Sequence, residues 1–144
     1  MKKTIKRDFS IKEIKVAAEC FTASNGKKVI DLAGLTSSVL ANDNESDRIK
    51  LVSECNQLLD EFEKYVLNLY PEVGEKRSNG KTYTPDILFE GWFEAQRAKI
   101  NLAISAKSFE EFRNESRSVI SKFNKDIVVP YHKANKLEHV LYRY

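Results

Sequence analysis

The chain has 144 residues, 42% of them hydrophobic and 31% charged, with a formal net charge of +3. That length suits one domain with its own core, and the balance is too apolar for intrinsic disorder and too polar for a membrane protein. The longest uncharged stretch, Leu32 to Asn42, is far short of the roughly 20 apolar residues of a spanning helix, and no apolar segment follows Met1-Lys2-Lys3 before Asp8 as a secretory signal would require, so a cytoplasmic location is expected.

Phe9-Ser10-Ile11-Lys12-Glu13-Ile14 is a helix start. Ser10 is placed to cap the amide of Glu13, Glu13 to reach back, and Phe9 to staple onto Ile14. Ile14, Ala17, Ala18 and Phe21 then form one apolar face, and Asn25-Gly26 supplies a left-handed stop. Residues 27–42, with Gly34 in the middle, predict two short helices around a turn. After Asn42-Asp43-Asn44, the spacing of Val52, Cys55, Leu59, Phe62, Val66 and Leu69 alternates between three and four, which predicts a long helical seam. Leu51, Leu58 and Tyr65 widen it toward bundle packing, and Pro71 closes it.

Residues 72–84 turn to Gly, Ser, Asn and charge and predict one long loop. Thr84-Pro85-Asp86 starts the next helix, because proline at the first helical position gives up an amide that would be unpaired anyway. Its inner face carries Phe89, Trp92, Phe93, Gln96, Ile100 and Ala103, and Ser108-Phe109-Glu110-Glu111 opens another helix with a capping box. Phe112, Val119, Ile120 and Phe123 give that helix its inner face. Ile127-Val128-Val129-Pro130 looks extended, while 137–144 fits a short helix or an alternating strand, with helix favoured. The expected fold is therefore all-α: a bundle of five or six helices with one long loop near residues 72–84.

No phosphate-binding glycine loop, nucleophile elbow, His-Glu-x-x-His or Cys-x-x-Cys occurs, so the chain is read as a non-enzyme with no cofactor and no metal. Cys20 and Cys55 read as free, buried thiols. His132 and His139 stand seven apart, too far along one helix for a shared ion, and read as surface or interface residues. Glu90 and Glu94 with Arg97 read as a solvated helix face rather than a carboxylate pair.

Lys and Arg outnumber Asp and Glu 8 to 3 over residues 1–30 and 13 to 9 over 73–144, but are outnumbered 3 to 9 over 31–72. Basic ends flank an acidic middle, a pattern open to nucleic acid or to an acidic protein partner. Trp92, with Tyr131, Tyr142 and Tyr144 near the carboxyl end, are candidate protein-interface anchors, core packing being the alternative for Trp92.

Val29-Ile30-Asp31-Leu32-Ala33-Gly34-Leu35-Thr36-Ser37-Ser38-Val39-Leu40 resembles the helix-turn-helix of bacterial and phage repressors. In that resemblance the first helix ends at Ala33, Gly34 makes the turn, Leu35 pins it and Thr36 caps the second helix. The resemblance implies a DNA-reading element over residues 29–42 whose second helix enters the major groove, with Thr36 on the nucleic-acid face and Ser37, Ser38, Ala41 and Asn42 exposed to bases. That second helix has no Lys or Arg, so phosphate contacts would fall to Lys2, Lys3, Lys6, Lys27 and Lys28, and to Arg77 and Lys81 in the long loop.

Together these readings describe a single helical domain over 1–144, with a helix-turn-helix portion at 10–45 and a bundle or oligomerisation portion at 46–144. Its expected role is nucleic-acid binding or regulation, as a homodimer. The alternative is a helical protein-binding module, such as an inhibitor, antitoxin or accessory factor of a phage or plasmid, working through protein contacts.

Overall fold

The computed structural model describes residues 9–74 and 84–136. They form an all-α fold: α1 (Ile11–Cys20), a 3₁₀ turn (Val29–Asp31) running into α2 (Leu32–Leu40), α3 (Glu45–Leu69), a second 3₁₀ turn (Pro71–Gly74), α4 (Pro85–Ser105), α5 (Phe109–Phe123), a π-helical turn (Asn124–Val128) and α6 (Val129–Ala134). Among the described residues, no helix is long and apolar enough to cross a membrane.

Side chains at several helix starts set the boundaries. Asn44 accepts from the amides of Ser46 (2.8 Å) and Asp47 (3.3 Å), so α3 begins with two of its orphan donors satisfied. Ser108 accepts from the Glu111 amide (3.0 Å), while the Glu111 carboxylate accepts from the amide of Lys107 (2.6 Å), a capping box shifted by one residue. At α1 the Ser10 hydroxyl instead donates to the Glu13 carboxylate, and the Glu13 amide is satisfied by the backbone oxygen of Ser10 (3.0 Å). Thr84 likewise turns its hydroxyl to Asp86. α1 stops at Cys20, earlier than its apolar pattern suggests, and Gly26 (φ +84°) makes the later turn in which Ser24 donates through both amide and hydroxyl to Glu61 (2.9 Å each).

α3 and α4 are the two long helices and pack on each other; α5 covers another side of α4, and α2 rests on both α3 and α4. The seam read from α3 is the one buried, through Val52, Cys55, Leu59, Phe62 and Val66 together with Leu58, whereas Leu69 at the helix end is half exposed. At its centre the Phe62 ring meets Trp92 (5.6 Å) and Phe93 (5.7 Å) of α4 and Phe21 (5.4 Å) of the segment after α1, tilted and edge contacts that add to the area they bury.

Four expectations are corrected here. Residues 127–130 are helical, not extended: the π-helical turn, in which the Val129 amide donates to Asn124, widens the helix just ahead of Pro130, where an ordinary turn would clash with the proline ring. Cys20 is exposed, because it lies on the outer face of α1; Cys55 is buried, and burial, with Glu54 adding to it, pushes its thiol pKa up. His132 is buried, since with Tyr131 it lies on the face that α6 turns to the core. Tyr131 is not at a surface: its ring is buried and its hydroxyl donates to the Phe9 carbonyl (2.5 Å), tying α6 to the entry of α1.

Candidate functional site: a cationic cleft

The residues expected to form a nucleic-acid face are separated by the fold. Leu32–Leu40 is one uninterrupted helix, so Gly34 lies inside it and makes no turn, and Thr36 sits in mid-helix. Thr36 is buried and its hydroxyl donates to the Leu32 carbonyl (2.7 Å), four residues back, instead of capping anything. The reason is tertiary: Leu32, Thr36 and Val39 recur at offsets of four and three and are the buried face of α2, which only a continuous helix presents together. Ser38 is exposed but donates to Gly34 (3.0 Å), and the half-buried Asn42 donates to Ser38 (3.3 Å), so both serve the backbone of their own helix. Ser37 is half-buried, Lys27 is exposed, and Lys28 reaches the Glu19 carbonyl (3.4 Å). Lys2, Lys3, Lys6, Arg77, Lys81, Tyr142 and Tyr144 lie outside the described residues, as does His139. Trp92 is 2% exposed and packs on Phe62 and Phe93, so it is a core residue of this chain and no surface anchor.

The fold assembles another site. α4 forms the floor of a cleft of about 1400 Å³, with α1, the first 3₁₀ turn and α2 on one wall and α5 with the π-helical turn on the other. Ile14, Ala18, Val29, Ile100, Phe112 and Ile120 make its lining largely apolar, and Ile30 (55% exposed) and Phe109 (46% exposed) leave apolar surface at its edges. Lys15, Lys99, Arg113, Arg117 and Lys125 line the same cleft, against a single carboxylate, Glu19, among the described lining residues. The Arg113 guanidinium stacks over the Phe109 ring (4.8 Å), which holds one cation beside one apolar edge.

Two polar side chains set into this apolar surface have no hydrogen-bond partner, the Gln96 amide nitrogen on α4 and the Ser116 hydroxyl on α5; the residues are 4% and 9% exposed. Lys99 stands one turn from Gln96, forms no ion pair among the described residues, and burial pushes its ammonium pKa down to about 8. Each buried polar group without a partner costs roughly 1–3 kcal/mol, and native proteins leave few of them. Arg97, the immediate neighbour of Gln96, points the other way: it binds Asp60 and Glu63 of α3 (3.0 Å each) rather than Glu90 or Glu94. Partial burial opposes its charge, and those two carboxylates more than offset that, raising its pKa.

The sequence did contain a signal for this site. Gln96 stands in the middle of the α4 inner face, and an amide on an apolar face raises the question of what it bonds to. The five cations were not legible, because they come from four separate elements, only Arg113 and Arg117 sharing a helix face, and take on meaning only beside one another. Among the described residues no three His, Cys, Asp or Glu side chains converge to hold a metal ion. The cleft as built can therefore do this: desolvate an apolar surface and meet negative charge around it. Comparison with protein families, curated proteins and solved structures finds no match for the chain.

Proposed function

We propose that this chain is a helical protein-binding module that takes an acidic, apolar-anchored segment of a partner protein into the cleft over α4. The observation that carries the reading is charge complementarity on an apolar surface: five cations and one carboxylate among the described lining residues, around a largely hydrophobic floor. An amphipathic helix laid in such a groove buries its apolar stripe while its acidic flanks meet the arginines and lysines, the charges steering encounter and the apolar contacts holding the complex. The cleft exceeds the roughly 300–1,000 Å³ of ordinary small-molecule pockets. That size favours a segment of chain over a small compound.

Trp92 lines the cleft and is the chain's one tryptophan, so its emission reports occupancy directly. The test titrates a synthetic helical peptide of about 18 residues, leucine at the a and d positions and glutamate elsewhere, against a random DNA duplex at low and high salt. The expected result is saturable peptide binding that weakens with salt, with the Arg113→Glu and Arg117→Glu double variant about tenfold weaker or more. Duplex binding with a steep salt slope and no peptide binding would replace this reading with the nucleic-acid one. Failure of both ligands would remove both.

A further inference from the structure

Within this cleft, and resting on its reading as a binding groove, we infer that Gln96, Ser116 and Lys99 form a buried subsite for one carboxylate, supplied by an acidic side chain or chain end of the partner segment. Three features of the fold bring them together. Gln96 and Lys99 are one turn apart on α4, and Ser116 comes from α5, which runs antiparallel to α4 after the connection at 106–108. Gly91 faces both α5 and the π-helical turn, a β-carbon there falling 2.7 Å from Ile127 and 3.2 Å from the Phe123 ring; Phe123 is the α5 residue at this level, as the short connection at 106–108 also requires, and gives the register between the two helices. Counting from it at 1.5 Å per residue, Gln96 lies roughly 7.5 Å along the pair, Ser116 roughly 10.5 Å and Lys99 roughly 12 Å. Ser116 therefore stands at the level between the two α4 residues, and all three line the same cleft.

The chemistry of the three groups selects the ligand. The Gln96 amide nitrogen and the Lys99 ammonium only donate, and the Ser116 hydroxyl can donate, so the missing partner is an acceptor with more than one lone-pair oxygen. Lys99 contributes one positive charge at this depth, while Arg113 and Arg117 are exposed above it. The single half-buried cation beside Gln96 matches a monoanionic carboxylate, whereas a phosphate dianion would leave charge uncompensated in an apolar surround. Both unpartnered atoms are closed to water, so engagement takes a rotamer turn at each, cheaper than leaving the groups unpaired. Glu19 stands across the cleft on α1 and would repel a second negative charge, which also favours a single carboxylate.

The experiment follows Trp92 emission on titration with octanoate, with octanamide as its neutral isostere and octyl phosphate as the dianionic rival. Octanoate should bind saturably and about tenfold more tightly than either. Lys99→Met, and separately the Gln96→Leu and Ser116→Ala double variant, should erase that preference, weakening octanoate about tenfold while octanamide, whose carbonyl meets the same donors without a charge, weakens less. Because the double variant replaces unpaired polar atoms by apolar ones, it should fold with an unchanged or raised melting temperature; Lys99→Met provides an independent check should the double variant misfold. The inference is overturned if octanoate does not bind, if the three ligands bind alike, if octyl phosphate binds best, or if the variants keep the preference for octanoate. The glutamate-leucine peptide separates the two claims. Peptide binding that is indifferent to these variants removes the subsite and keeps the groove reading; octanoate discrimination without peptide binding keeps the subsite and removes the peptide.

Discussion

The two faces of α4 differ in how their polar groups are used. Toward α3, the ring of Phe93 packs on Phe62, and Arg97 lies against that ring (5.5 Å) while binding Asp60 and Glu63. Toward the cleft, the buried Gln96 amide nitrogen has no hydrogen-bond partner, and the half-buried Lys99 has no counter-ion among the described residues. Gln96 and Arg97 are adjacent in sequence, so composition and helix propensity cannot explain the difference. A face built for stability satisfies its charges. A face that leaves donors unmet carries an energetic cost until something else meets them, which is the expected signature of a functional surface.

The first way to sharpen the contrast is to break the sealed face. Phe62→Ala removes the ring at the centre of the aromatic cluster and should cost about 4 kcal/mol in chemical denaturation. A loss under 1 kcal/mol would mean that the α3–α4 contact is not the structural one. Arg48 comes next, since its guanidinium accepts no substitute: it donates to the carbonyls of Asn42 (2.7 Å), Ala106 (2.7 Å) and Leu40 (3.3 Å), joining the ends of α2 and α4. Arg48→Met should cost about 2 kcal/mol by orphaning these acceptors, measured by the shift in urea midpoint at constant slope.

On the open face the expected sign reverses. Lys99 keeps its charge in the folded chain only below about pH 8, and in the unfolded chain up to its ordinary 10.5. Between those values the unfolded chain binds more protons, so wild-type stability rises with pH in that window. Lys99→Met should therefore stabilise the protein below pH 8, with an advantage that fades between pH 8 and 10.5. Lys15, Glu19, Arg113, Arg117 and Lys125 face the same cleft in both proteins and cancel in the difference. An advantage that grows with pH would refute the account. The smallest effect belongs to Arg97→Met: its pairs are partly exposed, with side-chain exposure of 32% for Arg97, 64% for Asp60 and 35% for Glu63, so the cost should stay within about 1 kcal/mol and shrink in salt.

Local pattern was a sound guide wherever a helix met the core along one stripe. The alternation from Val52 to Val66, the proline that ends α3 and the Ser108 start of α5 all depend on residues within a few positions of each other, and periodicity and capping are properties of such short windows. The same logic misled at Gly34. A glycine before a threonine is the local sign of a turn and a cap, yet Gly34 is exposed, with open space where a β-carbon would sit, and the helix runs through it.

What the sequence alone determined, then, was the class of fold and the helices whose signals are local. Tertiary structure decided the rest, because burial is shared among distant residues: Leu32, Thr36 and Val39 had to reach the core together, so α2 became one helix. It also decided the candidate site. Lys15, Lys99, Arg113, Arg117 and Lys125 come from α1, α4, α5 and the π-helical turn, and no interval along the chain encodes their meeting. Only the antiparallel packing of α5 on α4, with α1 and α2 opposite, turns four exposed cations, the half-buried Lys99 and two unpaired polar groups into one cleft.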